Sequence, residues 1–192
     1  MTRVSVASTV EEPIDVIDVQ DHLRIDSTSE NPYISALISV ARAQCENKTH
    51  RLLRPGTVTL TLDGFQAVEL PYPPLRNSTA LAITYIDSTG GTASVSSTVY
   101  DIHDDGDGPA VLTTAYGQSW PTPQSVRGAV TISYQAGYST ADPCPDALKH
   151  WMLLYVGGLY EHREAYVIGQ SANLELPFLD GLLDPHVVHV VR

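Results

Sequence analysis

Two apolar stripes of helical period bracket a stretch of period two. Within residues 145–165, Leu148, Trp151, Met152, Tyr155, Val156, Leu159 and Tyr160 fall at i, i+3, i+4, i+7, i+8, i+11 and i+12, one face of a helix. Pro145 suits a first helical position. Asp146 lies toward the positive end of the helix dipole and Arg163 toward the negative end. Gly157 and Gly158 interrupt the stripe. Each costs about 1 kcal/mol against alanine in a helix interior, so the pair predicts a closely approaching segment or a bend. The second stripe opens at Asn31-Pro32, a capping residue followed by proline. It continues through Ile34, Leu37, Ile38, Ala41, Cys45 and Leu52 and stops before Arg54-Pro55-Gly56. Asp15 predicts the start of a shorter helix, with Asp18 completing a weak capping box. Residues 1–14 read as an extended arm, in which Val4, Val6 and Ala7 alternate weakly and Pro13 limits any ladder.

After Gly56 the period changes. Val58, Leu60 and Leu62 alternate with threonines, which predicts a strand. Asp63-Gly64 predicts a turn, and short strands follow at 68–70, 81–86, 99–102, 110–112 and 126–135. Residues 174–183 read as a short amphipathic helix that Pro177 starts or restarts, ended by Asp184-Pro185. The tail HVVHVVR has high strand propensity and reads as extended.

The order is helices, strands, helices. Neither long stripe can bury its face alone, so the simplest fold packs the two on each other. The expectation is an α+β protein. It has a small helical core of two long helices plus short N- and C-terminal helices, and an inserted antiparallel β-sandwich or barrel. The predicted division is 1–55, arm and first helices; 56–138, β insertion; 139–184, remaining helices; and 185–192, an extended tail.

Composition narrows the partners. The 192 residues are 43% hydrophobic and 17% charged, with a formal net charge of −11, which is globular and acidic. Only 11 Lys and Arg are present and they are scattered, so nothing here would grip a phosphate backbone. No apolar run approaches a membrane span, and the first residues show no signal-peptide core. Cys45 and Cys144 suit a reducing compartment as two buried thiols, with a disulfide between them left open. Tyrosine is frequent, ten against two Phe and two Trp. Core packing and interface service account for it equally well.

Catalytic patterns are missing from the sequence. There is no GxSxG, no Walker A motif, no GxGxxG after a strand and no HExxH. His150 and His162 lie off the apolar stripe, and His186 and His189 would point to opposite sides of an extended tail. The acidic loop at 103–109 offers Asp104, Asp105 and Asp107 to a Ca²⁺ ion. It lacks the distal bidentate Glu of an EF-hand, and a turn built on Asp and Gly explains it as well. The expectation is no enzyme and no cofactor. A calcium-binding or generic protein-interaction module at that loop is the alternative.

The ordered set of local motifs carries more. DVQDHLRID (18–26), PYISALISVARAQCENKTHRLL (32–53), TLTLDGF (59–65), ELPYPPL (69–75), ITYID (83–87), VYDIH (99–103), GQSWP (117–121), VTISYQAGY (130–138), the 145–165 helix and LDGLLDPHV (179–187) cover nearly the whole chain. Together they resemble the head–tail connector proteins (adaptor, or head-completion, of the HK97 type) of long-tailed phages and gene transfer agents. The resemblance implies a ring, commonly dodecameric, beneath the portal protein of a DNA-filled head. Such a ring extends the channel for double-stranded DNA without binding it specifically, and presents a surface to the next neck protein, a stopper or tail terminator. It implies residence in the virion neck, with assembly in the host cytoplasm. It also implies a portal-binding tail, here Pro185, His186, Val187, Val188, His189, Val190, Val191 and Arg192. Lys149, His150, Glu161, His162 and Arg163 are left on the long helix as candidates for the ring interface.

Overall fold

The computed structural model describes residues 2–9, 11–106, 108–139, 143–162 and 177–189. The chain divides into two compact units: Met1–Val10 with Arg54–Ser139, and Glu11–Leu53 with Thr140–Arg192. The mixed α+β class expected from the sequence is the class observed.

The first unit is built of β-strands apart from one 3-10 turn at Ser78–Ala80, among its described residues. β1 (Arg3–Ser8), β2 (Gly56–Leu62), β9 (Val130–Ala136), β5 (Ala82–Ile86) and β6 (Thr92–Ser94) form the path of one antiparallel sheet, and β4 (Leu75–Arg76) also pairs with β9. A second sheet has the order β3 (Val68–Glu69), β8 (Val111–Thr114), β7 (Tyr100–His103). Neither closes on itself, so of the sandwich and barrel readings the barrel is the one not formed. Register explains the core. Val58 faces Tyr134, Leu60 faces Ile132 and Leu62 faces Val130 across β2 and β9, and all six are buried. The alternating threonines take the other face, as period two requires. The Tyr134 hydroxyl donates to the Pro71 carbonyl at 2.6 Å, and burial pushes its pKa up.

Turn chemistry sets the β5–β6 hairpin. Asp87 Oδ1 accepts from the Thr89 hydroxyl, the Thr89 N–H and the Gly91 N–H at 2.6, 2.8 and 3.0 Å. These bonds, the Thr89 hydroxyl first, hold its carboxyl below the usual range. The weak alternation of the N-terminal arm becomes β1, paired along its whole length with β2.

The second unit is helical. α1 (Val16–Leu23) carries the full capping box: Asp18 N–H donates to Asp15, and Asp15 N–H donates to Asp18, at 2.8 and 2.9 Å. α2 (Asn31–Thr49) has Glu30, not Asn31, at its N-cap. The Asn31 side chain instead accepts from Gln20 Nε2 at 2.9 Å, which ties α2 to α1. α2 also ends before residue 53. His50 turns left-handed at φ 56, and Leu52 and Leu53 leave the helix yet stay buried. Glu46 fixes that exit: one oxygen accepts from the Leu53 N–H at 3.0 Å, the other from Arg42 at 2.6 Å. α3 (Asp146–Glu161) begins one residue later than Pro145 suggested, with Pro145 as its N-cap. α4 is Pro177–Leu183.

The two stripes pack as the periodicity predicts. Ile34, Leu37, Ile38, Ala41 and Cys45 of α2 and Leu148, Trp151, Met152 and Val156 of α3 are buried, and the two helices are in contact. Leu179 and Leu183 add the buried face of α4. A Cβ on Gly157 would stand 3.3 Å from Leu23 Cδ2, so the segment that approaches the glycine is the end of α1.

Cys45 and Cys144 are free and buried. Burial, then the neighbouring Cys144 and Glu46, pushes Cys45 up to about 12; burial likewise pushes Cys144 to about 12. The folded pKa values are raised, so the stability they contribute is complete below the unfolded value near 8.5 and is lost as pH rises toward 12. Denaturant unfolding at pH 9 and pH 10 should show a loss of up to about 2 kcal/mol from the two thiols together. The Cys45→Ala, Cys144→Ala double variant should show a flatter profile over the same range.

Candidate functional site

The expected docking tail is partly folded onto its own subunit. After α4 the chain makes a 3-10 turn at Asp184–His186, and Val187 is extended. Arg51, 3% exposed just beyond α2, donates from Nε to the His186 carbonyl at 2.6 Å. The Val188 N–H donates to the Thr49 carbonyl at 2.9 Å, and the Val188 side chain is buried. Thr49 is buried too, its hydroxyl returned to the Cys45 carbonyl at 2.7 Å. The end of α2 therefore uses one of its free carbonyls, that of Thr49, to hold the tail. Lys48 adds an exposed bridge to Asp180 at 3.0 Å, worth under about 1 kcal/mol. Pro185 and His189 are exposed, and His186 and Val187 are half-buried. Val190, Val191 and Arg192 lie outside the described residues.

The interface candidates on α3 do not form one cluster. Lys149 and Glu161 are separated by about 18 Å of helix axis. Lys149 is half-buried and 3.6 Å from Asp146. His150 is exposed and meets His22 of α1 edge-on, with ring centroids 6.3 Å apart. Glu161 and His162 are exposed at the helix end. Arg163 lies outside the described residues. Near that end Tyr160 donates to the Glu30 carboxylate and packs on Tyr33.

The acidic loop uses its carboxylates on itself. Asp104 Oδ1 accepts from the Gly106 N–H at 2.9 Å, and Asp105 Oδ1 from the Gly108 N–H at 3.2 Å. Asp107 lies outside the described residues. Beside the loop is an open depression of about 470 Å³, lined by Ile102, His103, Asp104, Asp105, Pro109 and Val111. Among the described residues no three His, Cys, Asp or Glu side chains group as metal ligands. No described helix is long and apolar enough to cross a membrane.

One group of aromatic residues packs together, and one tyrosine is open to solvent. Trp120 stacks on Phe65 at 5.0 Å and on Tyr100 at 6.5 Å, and Phe65 meets Tyr85, which makes a packing cluster. Tyr116 is fully exposed at a turn where Gly117 has φ 72. Arg51 is the residue that the sequence reading missed. A basic residue just past a helix end often binds the last carbonyls, but the sequence does not say that a distant carbonyl would be its partner.

No protein-family model matches this sequence, and none of the curated proteins does. Solved structures do. A chain in the virion of a native gene transfer agent (GTA) particle is 22% identical, with a TM-score of 0.74, over 97% of this chain and 97% of that one. A chain from the neck of an empty GTA particle computed with C6 symmetry is 20% identical, with a TM-score of 0.72, over 98% and 97%. A chain from the neck of a native GTA particle computed with C12 symmetry is 20% identical, with a TM-score of 0.73, over 98% and 97%. The fold of this chain is therefore the fold of those chains along its whole length.

Proposed function

We propose that this protein is a structural, non-enzymatic head–tail connector of a virion neck. In this reading copies of the chain form a ring, a dodecamer, below the portal protein. The ring extends the channel through which double-stranded DNA passes, and its far side receives the next neck protein. The protein resides in the neck of the particle and assembles there from the host cytoplasm. The observation that carries the reading is the full-length likeness in fold to chains of GTA neck and virion structures. The net charge of −11 supports it, because a channel wall that holds DNA tightly would stall its passage.

Within this reading the helical unit, Glu11–Leu53 with Thr140–Arg192, is the body of the subunit, and the β unit, Met1–Val10 with Arg54–Ser139, is directed outward or toward a ring neighbour. The tail at 185–192 docks on the portal by adding a strand, in which main-chain hydrogen bonds supply affinity. The fold-back of Val188 sets how the tail is tested. A chain ending at Asp184 loses a buried valine and two hydrogen bonds, so it weakens the subunit as well as the tail. A chain ending at His189 keeps them. It should melt with the intact protein and fail to copurify with portal rings; normal copurification would remove the tail from the docking role.

A further inference from the structure

Among the described residues the path of the six-stranded sheet ends in two strands that each have one partner, and these two ends match. β1 stands at one end of the path β1-β2-β9-β5-β6 and β6 at the other. The ladder fixes which backbone groups each edge offers. Thr9 N–H donates to the Pro55 carbonyl, in register with the β1–β2 pairs. Hydrogen-bonded pairs alternate along an antiparallel ladder. Residues 3, 5 and 7 therefore bond β2, while the N–H and C=O groups of Val4, Val6 and Ser8 point away from it. The same reasoning applies to β6. Asp87 N–H donates to the Gly91 carbonyl and Val95 N–H to the Ile83 carbonyl, so Thr92 and Ser94 direct their backbone groups outward.

Exposed strands are kept from pairing by charges, proline, bulges, covering segments or very short length. Apart from Arg3 at the start of β1 and the three-residue length of β6, the two edges carry none of the charges or prolines, since residues 4–8 and 92–94 contain neither. From Arg3 to Ala7 every residue of β1 is exposed, with Val4 at 36% and Val6 at 39%, so neither face of the strand is covered among the described residues.

Direction selects the occupant. Each of the four steps from β1 to β6 is antiparallel, so β1 and β6 run the same way. A cyclic ring joins unlike surfaces head to tail and keeps every copy in the same sense about its axis. The open β1 of one copy and the open β6 of the next can then meet as a parallel pair. Pairing of two β1 strands would instead need a twofold axis and would stop at a dimer.

We infer that β1 and β6 are the two halves of the joint between neighbouring subunits, β1 of one copy adding to β6 of the next. This rests on the ring reading above. Thr92 and Ser94 of β6 would exchange main-chain hydrogen bonds with Val4, Val6 and Ser8 of the neighbour, and the valines would lose their exposure.

Val6→Pro removes an outward N–H and no ladder bond of the subunit itself, since Val6 and Val58 form a non-hydrogen-bonded pair. Ser94→Pro does the same at β6. Each variant should keep the melting temperature of the parent and assemble no ring, alone or on portal, by electron microscopy and light scattering. Val6→Thr keeps the N–H and should assemble normally. A mixture of the two proline variants has one open edge of each kind and should stop at a heterodimer. Should a proline variant melt early, the Val4→Lys, Val6→Lys double variant, which keeps every backbone bond, replaces it with the same expected loss. Rings from Val6→Pro or from Ser94→Pro would overturn the joint while leaving the ring reading in place. A parent protein that forms no ring even on portal takes down the ring reading, and the joint with it.

Discussion

Trp151→Ala should lower the stability of the helical unit by about 3–5 kcal/mol. Trp151 is 1% exposed and lies on the stripe of α3 that faces α2. Its indole stacks on Tyr155 with centroids 4.9 Å apart and planes within 12°, so the truncation also removes the support of a second aromatic ring. The cavity cannot collapse easily, because Leu148, Met152 and Val156 on the same stripe are already fully buried. Small domains have total stabilities of about 5–15 kcal/mol, so the variant should be largely unfolded at moderate denaturant. Trp151→Phe separates shape from loss of volume. It keeps an aromatic ring against Tyr155 and removes an N–H that no described group accepts. Its cost should stay below about 1.5 kcal/mol. Equal losses for the two variants, by denaturant midpoint, would mean that the indole is not packed as described.

Arg51→Met should cost about 1.5–3 kcal/mol, the range for a buried hydrogen bond to a charged group. The donor is a buried guanidinium and the acceptor the His186 carbonyl 2.6 Å away. Methionine matches the stem of Arg51 but leaves that carbonyl without its donor. The effect should be local as well as global. Amide exchange at Val188, whose N–H is held by Thr49, should accelerate more than exchange within α3. Uniform acceleration throughout the helical unit would show that Arg51 supports the core rather than the tail.

What the sequence disclosed and what it hid follow from the range of each interaction. The α2 and α3 stripes were legible because one helix face repeats every three or four residues, and most of those residues are buried, while Tyr155, Leu159 and Tyr160 of α3 are half-buried. The threonine alternation of β2 was legible for the same reason with period two. Pairing partners were not. Val4 and Val6 alternate, but nothing local says that they lie against β2 some fifty positions later. β6, the small residues Thr92, Ala93 and Ser94, has no hydrophobic signal to read. Asn31 looks like a cap because its local context suits one, and only the reach of Gln20 from α1 diverts it. The tail reads as extended because it is rich in valine, yet Pro185 and His186 lie in a 3-10 turn and no strand forms at 187–189. Its return to Thr49 and Arg51 depends on one carbonyl and one amide, which carry no side-chain pattern at all. The interface candidates of α3 came from what the core stripe left over, and such leftovers are spread along a helix instead of gathered at a site.

The role proposed for this chain is that of a ring-forming adaptor in a virion neck. Electron microscopy of the purified protein mixed with portal rings tests it most directly. The account predicts a cyclic ring of this chain seated on one end of the portal, coaxial with its channel. Portal rings that remain bare, beside a protein that stays monomeric at saturating concentration, would contradict it.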